Sequence, residues 1–263
     1  MRNFEFHRPQ SVADAVTLLR GKDSAKLLAG GQSLLPVMKL DLAQPSDLVS
    51  LAKVGGLQEI RSEGNNLVIG ALVTHAEVAA SPEVRQRIPG LAGLAAGIGD
   101  AQIRNRGTLG GSLAHADPAA DYPAAVLALG ATIVTDRRQI AADHYFTGLF
   151  QTALEADEVI TAVHFPVPER SAYAKFAHPA SKYAVVGVMV AKTGGGVRVA
   201  VTGAGSKVFR IPALEAALAA NFSPEAVGDS VVDPGELRGG EASTEYLAHL
   251  VSVMAKRAVR ACQ

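Results

Sequence analysis

The sequence is poor in cysteine, aromatic residues and net charge, and each shortage excludes something. One residue of 263 is cysteine, Cys262. A single thiol makes no internal disulfide and supplies neither a Cys₄ iron–sulfur set nor a cysteine-rich zinc site. Tryptophan is absent and aromatics are 5% of the chain, which argues against a platform for stacking bases or sugars. Lys and Arg number 25, as do Asp and Glu. A nucleic-acid binder normally carries a basic excess, and a membrane-surface protein a polybasic face. No apolar signal region opens the chain, and the longest apolar stretch, 124–134, is far short of the roughly 20 residues that span a bilayer. The reading is a soluble, cytoplasmic protein with no nucleic-acid partner and no membrane insertion.

What is present is enough for a sizeable core: 48% hydrophobic and 19% charged residues, unlike a disordered chain. Phe4 and Phe6 alternate with Glu5 and His7, as in a half-buried strand. Ser11, with Asp14 three residues on, starts a capped helix carrying Val12, Val16, Leu18 and Leu19. A strand at 26–29 runs into Gly30-Gly31, Ser33 caps the next helix, and a strand follows at 48–51. Strands at 57–61 and 67–72 flank Glu63-Gly64-Asn65-Asn66, a hairpin signal. Thr74 caps a helix reaching Val84, 88–99 is a small-residue helix, and 99–112 reads as a glycine-interrupted loop. Asp117 and Pro118 form an N-cap and N1 pair for a helix to about Leu129. Strands at 131–135 and 159–165 complete the first part. Three strands (173–177, 184–191 and 197–202) and three helices (212–219, 224–230 and 244–261) then suggest a separate α+β unit, with the boundary at 167–171.

Three segments are candidates for chemistry. Ala29-Gly30-Gly31-Gln32-Ser33-Leu34 places two glycines between a strand and a helix, where backbone N–H groups can turn outward to phosphate oxygens. The same residues also suit a plain tight turn. Gly107-Thr108-Leu109-Gly110-Gly111-Ser112 is a second glycine pair, flanked by hydroxyls. A pyrophosphate has two phosphates and can use two such loops, although neither has the P-loop or Gly-x-Gly-x-x-Gly spacing. In Ala116-Asp117-Pro118-Ala119-Ala120-Asp121 the carboxylates would repel phosphate, so a ligand role for Asp121 means accepting bonds from hydroxyls or ring N–H groups. Its bland alternative is a solvated first-turn carboxylate. Tyr183 suits either ring stacking or an ordinary strand position. The seven His form no metal-ligand cluster, and no nucleophile elbow is present.

Taken jointly, 29–36 (AGGQSLLP), 98–112 (IGDAQIRNRGTLGGS) and 116–123 (ADPAADYP) resemble the FAD-binding medium subunit of the molybdenum hydroxylases, the xanthine dehydrogenase and aerobic carbon monoxide dehydrogenase family. The motifs follow the family's order and spacing, and the resemblance covers nearly the whole chain. It implies an α+β fold: a two-subdomain FAD-binding domain of the vanillyl-alcohol oxidase-like (PCMH) type at 1–170, with subdomains of about 1–53 and 54–170. A smaller α+β domain of the carbon monoxide dehydrogenase flavoprotein type, with a three-stranded antiparallel sheet and helices, follows at 171–263. By the same resemblance, Ala29, Gly30, Gly31, Gln32, Ser33 and Leu34, with Thr108, Gly110, Gly111 and Ser112, hold the pyrophosphate of non-covalent FAD. Asp121 bonds to the sugar-alcohol or adenine end, and Asp117 joins the cofactor-binding set. Ile98 and Ile160 line the flavin, Lys175 lies near the isoalloxazine and Tyr183 shields the ring. Many relatives carry an Arg after the position of Lys175 and an Asp shortly before that of Ala184; here the chain reads Ala177-His178-Pro179-Ala180-Ser181 and Lys182-Tyr183.

The implied function is electron transfer, with no catalytic acid–base residues on this chain. A large subunit carrying the molybdopterin cofactor oxidises the substrate. A small subunit with [2Fe–2S] clusters passes electrons to the FAD, which delivers them to NAD, a quinone or oxygen. The assembly is a heterotrimer that dimerises. The alternatives are a stand-alone flavin oxidoreductase and a non-catalytic nucleotide-binding assembly protein.

Overall fold

The computed structural model describes residues 1–238 and 242–262. The first layer is a parallel three-stranded sheet. Asp47–Ser50 lies at its centre between Glu5–His7 and Lys26–Leu28, with Phe6 opposite Leu48 and Leu27 opposite Val49. Parallel neighbours need crossovers, and the helices Val12–Arg20 and Leu34–Lys39 lie in the connections. The first begins where expected: Ser11 Oγ accepts from the Asp14 N–H at 3.1 Å. Its apolar stripe, Ala15, Val16 and Leu19, packs on Val49 and Leu51.

The second layer is a five-stranded antiparallel sheet, in the order Ile60–Glu63, Asn66–Gly70, Ile160–Pro166, Thr132–Thr135 and Gln139–Ala141. The expected hairpin forms, shifted toward its turn. Glu63 pairs with Asn66 across Gly64-Asn65, and Gly64 has φ of 58°. Leu57 is therefore not in the strand; it is buried in an irregular segment, and its carbonyl accepts from Leu72 N–H at 2.7 Å. The helix expected to run from 74 to 84 is two helices, His75–Ala80 and Pro82–Arg87. Pro82 has no N–H to continue the first and pushes Ser81 out of helical conformation, so Ser81 caps the second instead. Helix Pro89–Ala96 follows. The segment read as a loop then contains helices Ala101–Arg104 and Leu109–His115, each capped by a side chain, Asp100 and Thr108.

Asp117 does not start the following helix. Its Oδ1 accepts from Ala119 N–H at 2.8 Å, closing a local turn, and the helix is Tyr122–Ala128. Short polar segments also form elements with no sequence signal: helix Ala142–Tyr145 and the paired strands Phe146–Gly148 and Gln151–Thr152.

The last sheet is antiparallel. The three long strands Arg170–Ala177, Ala184–Thr193 and Gly196–Thr202 pair in sequence, and the two-residue strand Phe209–Arg210 adds to the edge. Both faces are apolar. Val186, Val188, Val190, Val199 and Val201 pack against the helices Pro212–Ala220 and Thr244–Ala261, while Met189, Ala191 and Ala200 join the core of residues 67–165. Side chains alternate across a strand, so one valine-rich strand serves two cores. Of the helix expected at 224–230 only one 3₁₀ turn, Pro224–Ala226, forms, and Gly228 lies just beyond it.

Candidate cofactor site

A cleft of about 590 Å³ lies where the three layers meet. The chain reaches it first at the end of strand Lys26–Leu28. Gly31 has φ of 75°, a left-handed turn that glycine adopts without steric cost. Gly30 has no room for a side chain, because a Cβ there would lie 1.9 Å from Arg106 O. The two glycine segments, 76 residues apart in sequence at Gly30 and Arg106, therefore touch through their backbones.

They offer different chemistry. Among the described residues, the N–H groups of Gly30, Gly31, Gln32, Ser33 and Leu34 donate to no acceptor of the chain. Ser33 leads into helix Leu34–Lys39, but its side chain makes no capping bond, contrary to the expected cap. In the second segment the N–H groups of Gly107, Leu109, Gly110, Gly111 and Ser112 are already used. Gly110 donates to Ala71 O at 2.8 Å, Gly111 to Thr108 Oγ1 at 3.2 Å and Ser112 to Thr108 O at 3.0 Å. The first segment is a donor loop; the second supplies the Thr108 and Ser112 hydroxyls and a close-packed wall.

Fifteen of the sixteen positions picked from sequence line this cleft: Ala29 through Leu34, Ile98, Thr108, Gly110, Gly111, Ser112, Asp117, Asp121, Ile160 and Tyr183. Lys175 does not. Its ammonium turns to Gly97 O (2.8 Å), Asp121 Oδ2 (3.1 Å) and Lys182 O (3.2 Å), so it meets the cleft only through Asp121 and Lys182. Asp121 also accepts from the Tyr173 hydroxyl at 2.5 Å. Burial raises its carboxyl pKa above the ordinary range, and Lys175 and Tyr173 oppose that rise. Asp121 is thus an anchored acceptor, not a solvated first-turn carboxylate. Tyr183 is 42% exposed. Burial, then the Asp117 and Asp121 carboxylates, pushes its hydroxyl pKa up.

Sequence reasoning missed His75, Ile103, Thr152, Leu154, Glu158 and Val159, which also line the cleft. His75 carried only a helix-start signal, the Thr74 cap before it, and in the structure Thr74 forms a capping box with Glu77. At the end where Glu158 stands, Arg138 Nη2 meets its Oε2 at 2.7 Å, and this bond lowers the Glu158 pKa to about 2. Among the described residues, no group of three His, Cys, Asp or Glu could hold a metal ion.

A donor loop of five free N–H groups, a hydroxyl-bearing wall and a fixed carboxylate acceptor suit a ligand that is anionic in one part and hydroxylated in another. Fold and cleft together define a nucleotide-cofactor-binding protein of mixed α/β architecture. Residues 2–168 match the family described as FAD binding domain in molybdopterin dehydrogenase. The chain is 42% identical to the nicotine 6-hydroxylase medium subunit of Paenarthrobacter nicotinovorans, over 82% of this chain and 81% of that one. It is 38% identical to the carbon monoxide dehydrogenase medium chain of Hydrogenophaga pseudoflava, over 98% and 96%. A solved structure of carbon monoxide dehydrogenase from Hydrogenophaga pseudoflava superimposes with a TM-score of 0.92 at 38% identity, covering 99% of this chain and 97% of that one. The chain belongs to the family of FAD-binding medium subunits of the molybdenum hydroxylases, and is an oxidoreductase subunit.

Proposed function

We propose that the chain is the FAD-carrying electron-transfer subunit of a cytoplasmic molybdenum hydroxylase complex. It stands between the [2Fe–2S] clusters of a small partner subunit and an external acceptor (NAD, a quinone or oxygen), while a large molybdopterin-bearing subunit oxidises the substrate. The observation that carries this reading is the run of five unpaired N–H groups at Gly30–Leu34 opening on a cleft in which the Gly110, Gly111 and Ser112 N–H groups are already hydrogen-bonded. FAD, when bound, supplies one- and two-electron chemistry.

The chain's own part is binding and orientation. The donor loop takes the pyrophosphate, its charge shared among several backbone N–H groups. Asp121, held by Lys175 and Tyr173, accepts from ligand hydroxyls and stands clear of the phosphates for electrostatic reasons. Ile98 and Ile160 give apolar contact, and Tyr183 covers the open side. We further propose that the chain divides near residue 170, and that the complex is a heterotrimer that dimerises.

The test is the visible spectrum of the purified complex under anaerobic conditions. Flavin absorbance that denaturation releases, and that the substrate bleaches only when the partner subunits are present, is the expected result. Bleaching by substrate with this chain alone would make it an independent oxidoreductase. No flavin after soaking in FAD would overturn the assignment.

A further inference from the structure

Among the described residues, three buried side-chain atoms have no hydrogen-bond partner: His75 Nδ1, the Tyr122 hydroxyl and Ser171 Oγ. The first two belong to neighbouring rings, with centroids 5.3 Å apart at 50°. His75 is 6% exposed and lines the cleft. An imidazole nitrogen left unpartnered when buried forgoes the bonds it would make in water.

The neighbours of His75 show what the ring does. Its backbone N–H donates to Gly107 O at 3.0 Å. Its side chain presses on the same residue: a Cβ on Gly107 would lie 2.5 Å from His75 Nε2. On the other side of that peptide, Arg106 O occupies the place of a Cβ on Gly30. The contacts run in series, from imidazole to Gly107, from the Arg106 carbonyl to Gly30, and so to the donor loop. No side chain intervenes.

We propose that His75 is a positioning residue for the cofactor: its ring sets the height of the 106–107 peptide, and through it the placement of the Gly30–Leu34 N–H groups. This rests on the reading of the cleft as an FAD site. The role suits a neutral ring. Burial, with the nearby Arg104 guanidinium, lowers the His75 pKa to about 4, so no charge disturbs the stack near neutral pH.

The experiment is fluorescence titration of the purified full chain with FAD, in wild type, three single variants and one double variant. Displacing the donor loop costs at least one charge-assisted bond to phosphate, so His75→Ala should weaken binding about tenfold or more. His75→Phe, which restores a ring, should recover most of the affinity. Gly107→Ala should weaken binding when the ring is present and have a smaller further effect in the His75→Ala background, because the nearest group it meets is gone and only Ile103 O, at 3.1 Å, remains. If His75→Ala does not fold, His75→Phe and Gly107→Ala still decide the matter. Tight binding by the first and weak binding by the second supports the role; the reverse order overturns it. A His75→Ala chain with the wild-type Kd, or strictly additive effects in the cycle, also overturns it. If the wild type itself takes up no FAD, the reading of the cleft fails, and the role of His75 with it; if only the variants match the wild type, the positioning role alone fails.

Discussion

Gly30 is where a single hydrogen matters most. Any side chain there collides with Arg106 O, and backbone contacts do not yield as a flexible side chain would. Gly30→Ala should destabilise the fold by about 1–3 kcal/mol through overpacking, and should strip FAD from the purified protein. Thermal denaturation and absorbance near the flavin band check the two effects separately. His75 gives a pH signature. The unfolded chain binds a proton at this ring below about pH 6.5, and the folded chain only near 4. Its contribution is therefore complete above pH 6.5 and declines as pH falls to 4, by about 3 kcal/mol in all. Glu158, lowered from 4.5 to about 2, has its contribution in full above pH 4.5 and loses it below. The windows are distinct, so His75→Phe should flatten the upper one in urea melts and leave the lower. At this scale fifteen of the sixteen positions picked line the cleft; the two glycine pairs have local signatures, while Ile98, Ile160 and Tyr183 came through the family resemblance. The sequence could not tell donor from wall: that depends on whether Ala71 O and Thr108 Oγ1 already hold the Gly110 and Gly111 N–H groups.

Among elements, the Lys175 ammonium ties three segments together beside the cleft. It joins the end of helix Pro89–Ala96 at Gly97, the start of helix Tyr122–Ala128 at Asp121 and the loop before strand Ala184–Thr193 at Lys182. Lys175→Met would leave Asp121, 5% exposed, with an unbalanced charge. The expected loss is about 3–5 kcal/mol near neutral pH. Asp121→Asn added to it should recover part of that loss, and chemical denaturation of the three variants tests the pair. Element types were read correctly wherever periodicity was long, as in Thr244–Ala261. They were misjudged where one residue decided the break: Pro82 splitting a helix, Asp117 closing a turn instead of capping, and Thr108 starting a helix inside an apparent loop. A short helix of this kind is fixed by its cap and its packing more than by any pattern of its own.

For the whole molecule, the last sheet joins two cores. Met189, Ala191 and Ala200 face residues 67–165, and Arg198 bonds to Leu127 O at 2.8 Å and to Asp143 at 2.7 Å. A chain cut at residue 170 would leave that side of the central core uncovered. It should be insoluble or dye-binding when expressed alone, despite the matched family ending at 168. Light scattering and ANS fluorescence against the full chain test this. The sequence showed an unbroken apolar run at 184–191, but its division between two cores depends on partners far away in the chain.

The most direct test of the donor loop is to watch its amides. In a ¹⁵N-labelled full chain, addition of FAD should shift the resonances of Gly30, Gly31, Gln32, Ser33 and Leu34 strongly. Gly110 and Gly111, whose N–H groups are already bonded within the chain, should move less. Large shifts at Gly110 and Gly111 with Gly30–Leu34 unmoved would contradict the account.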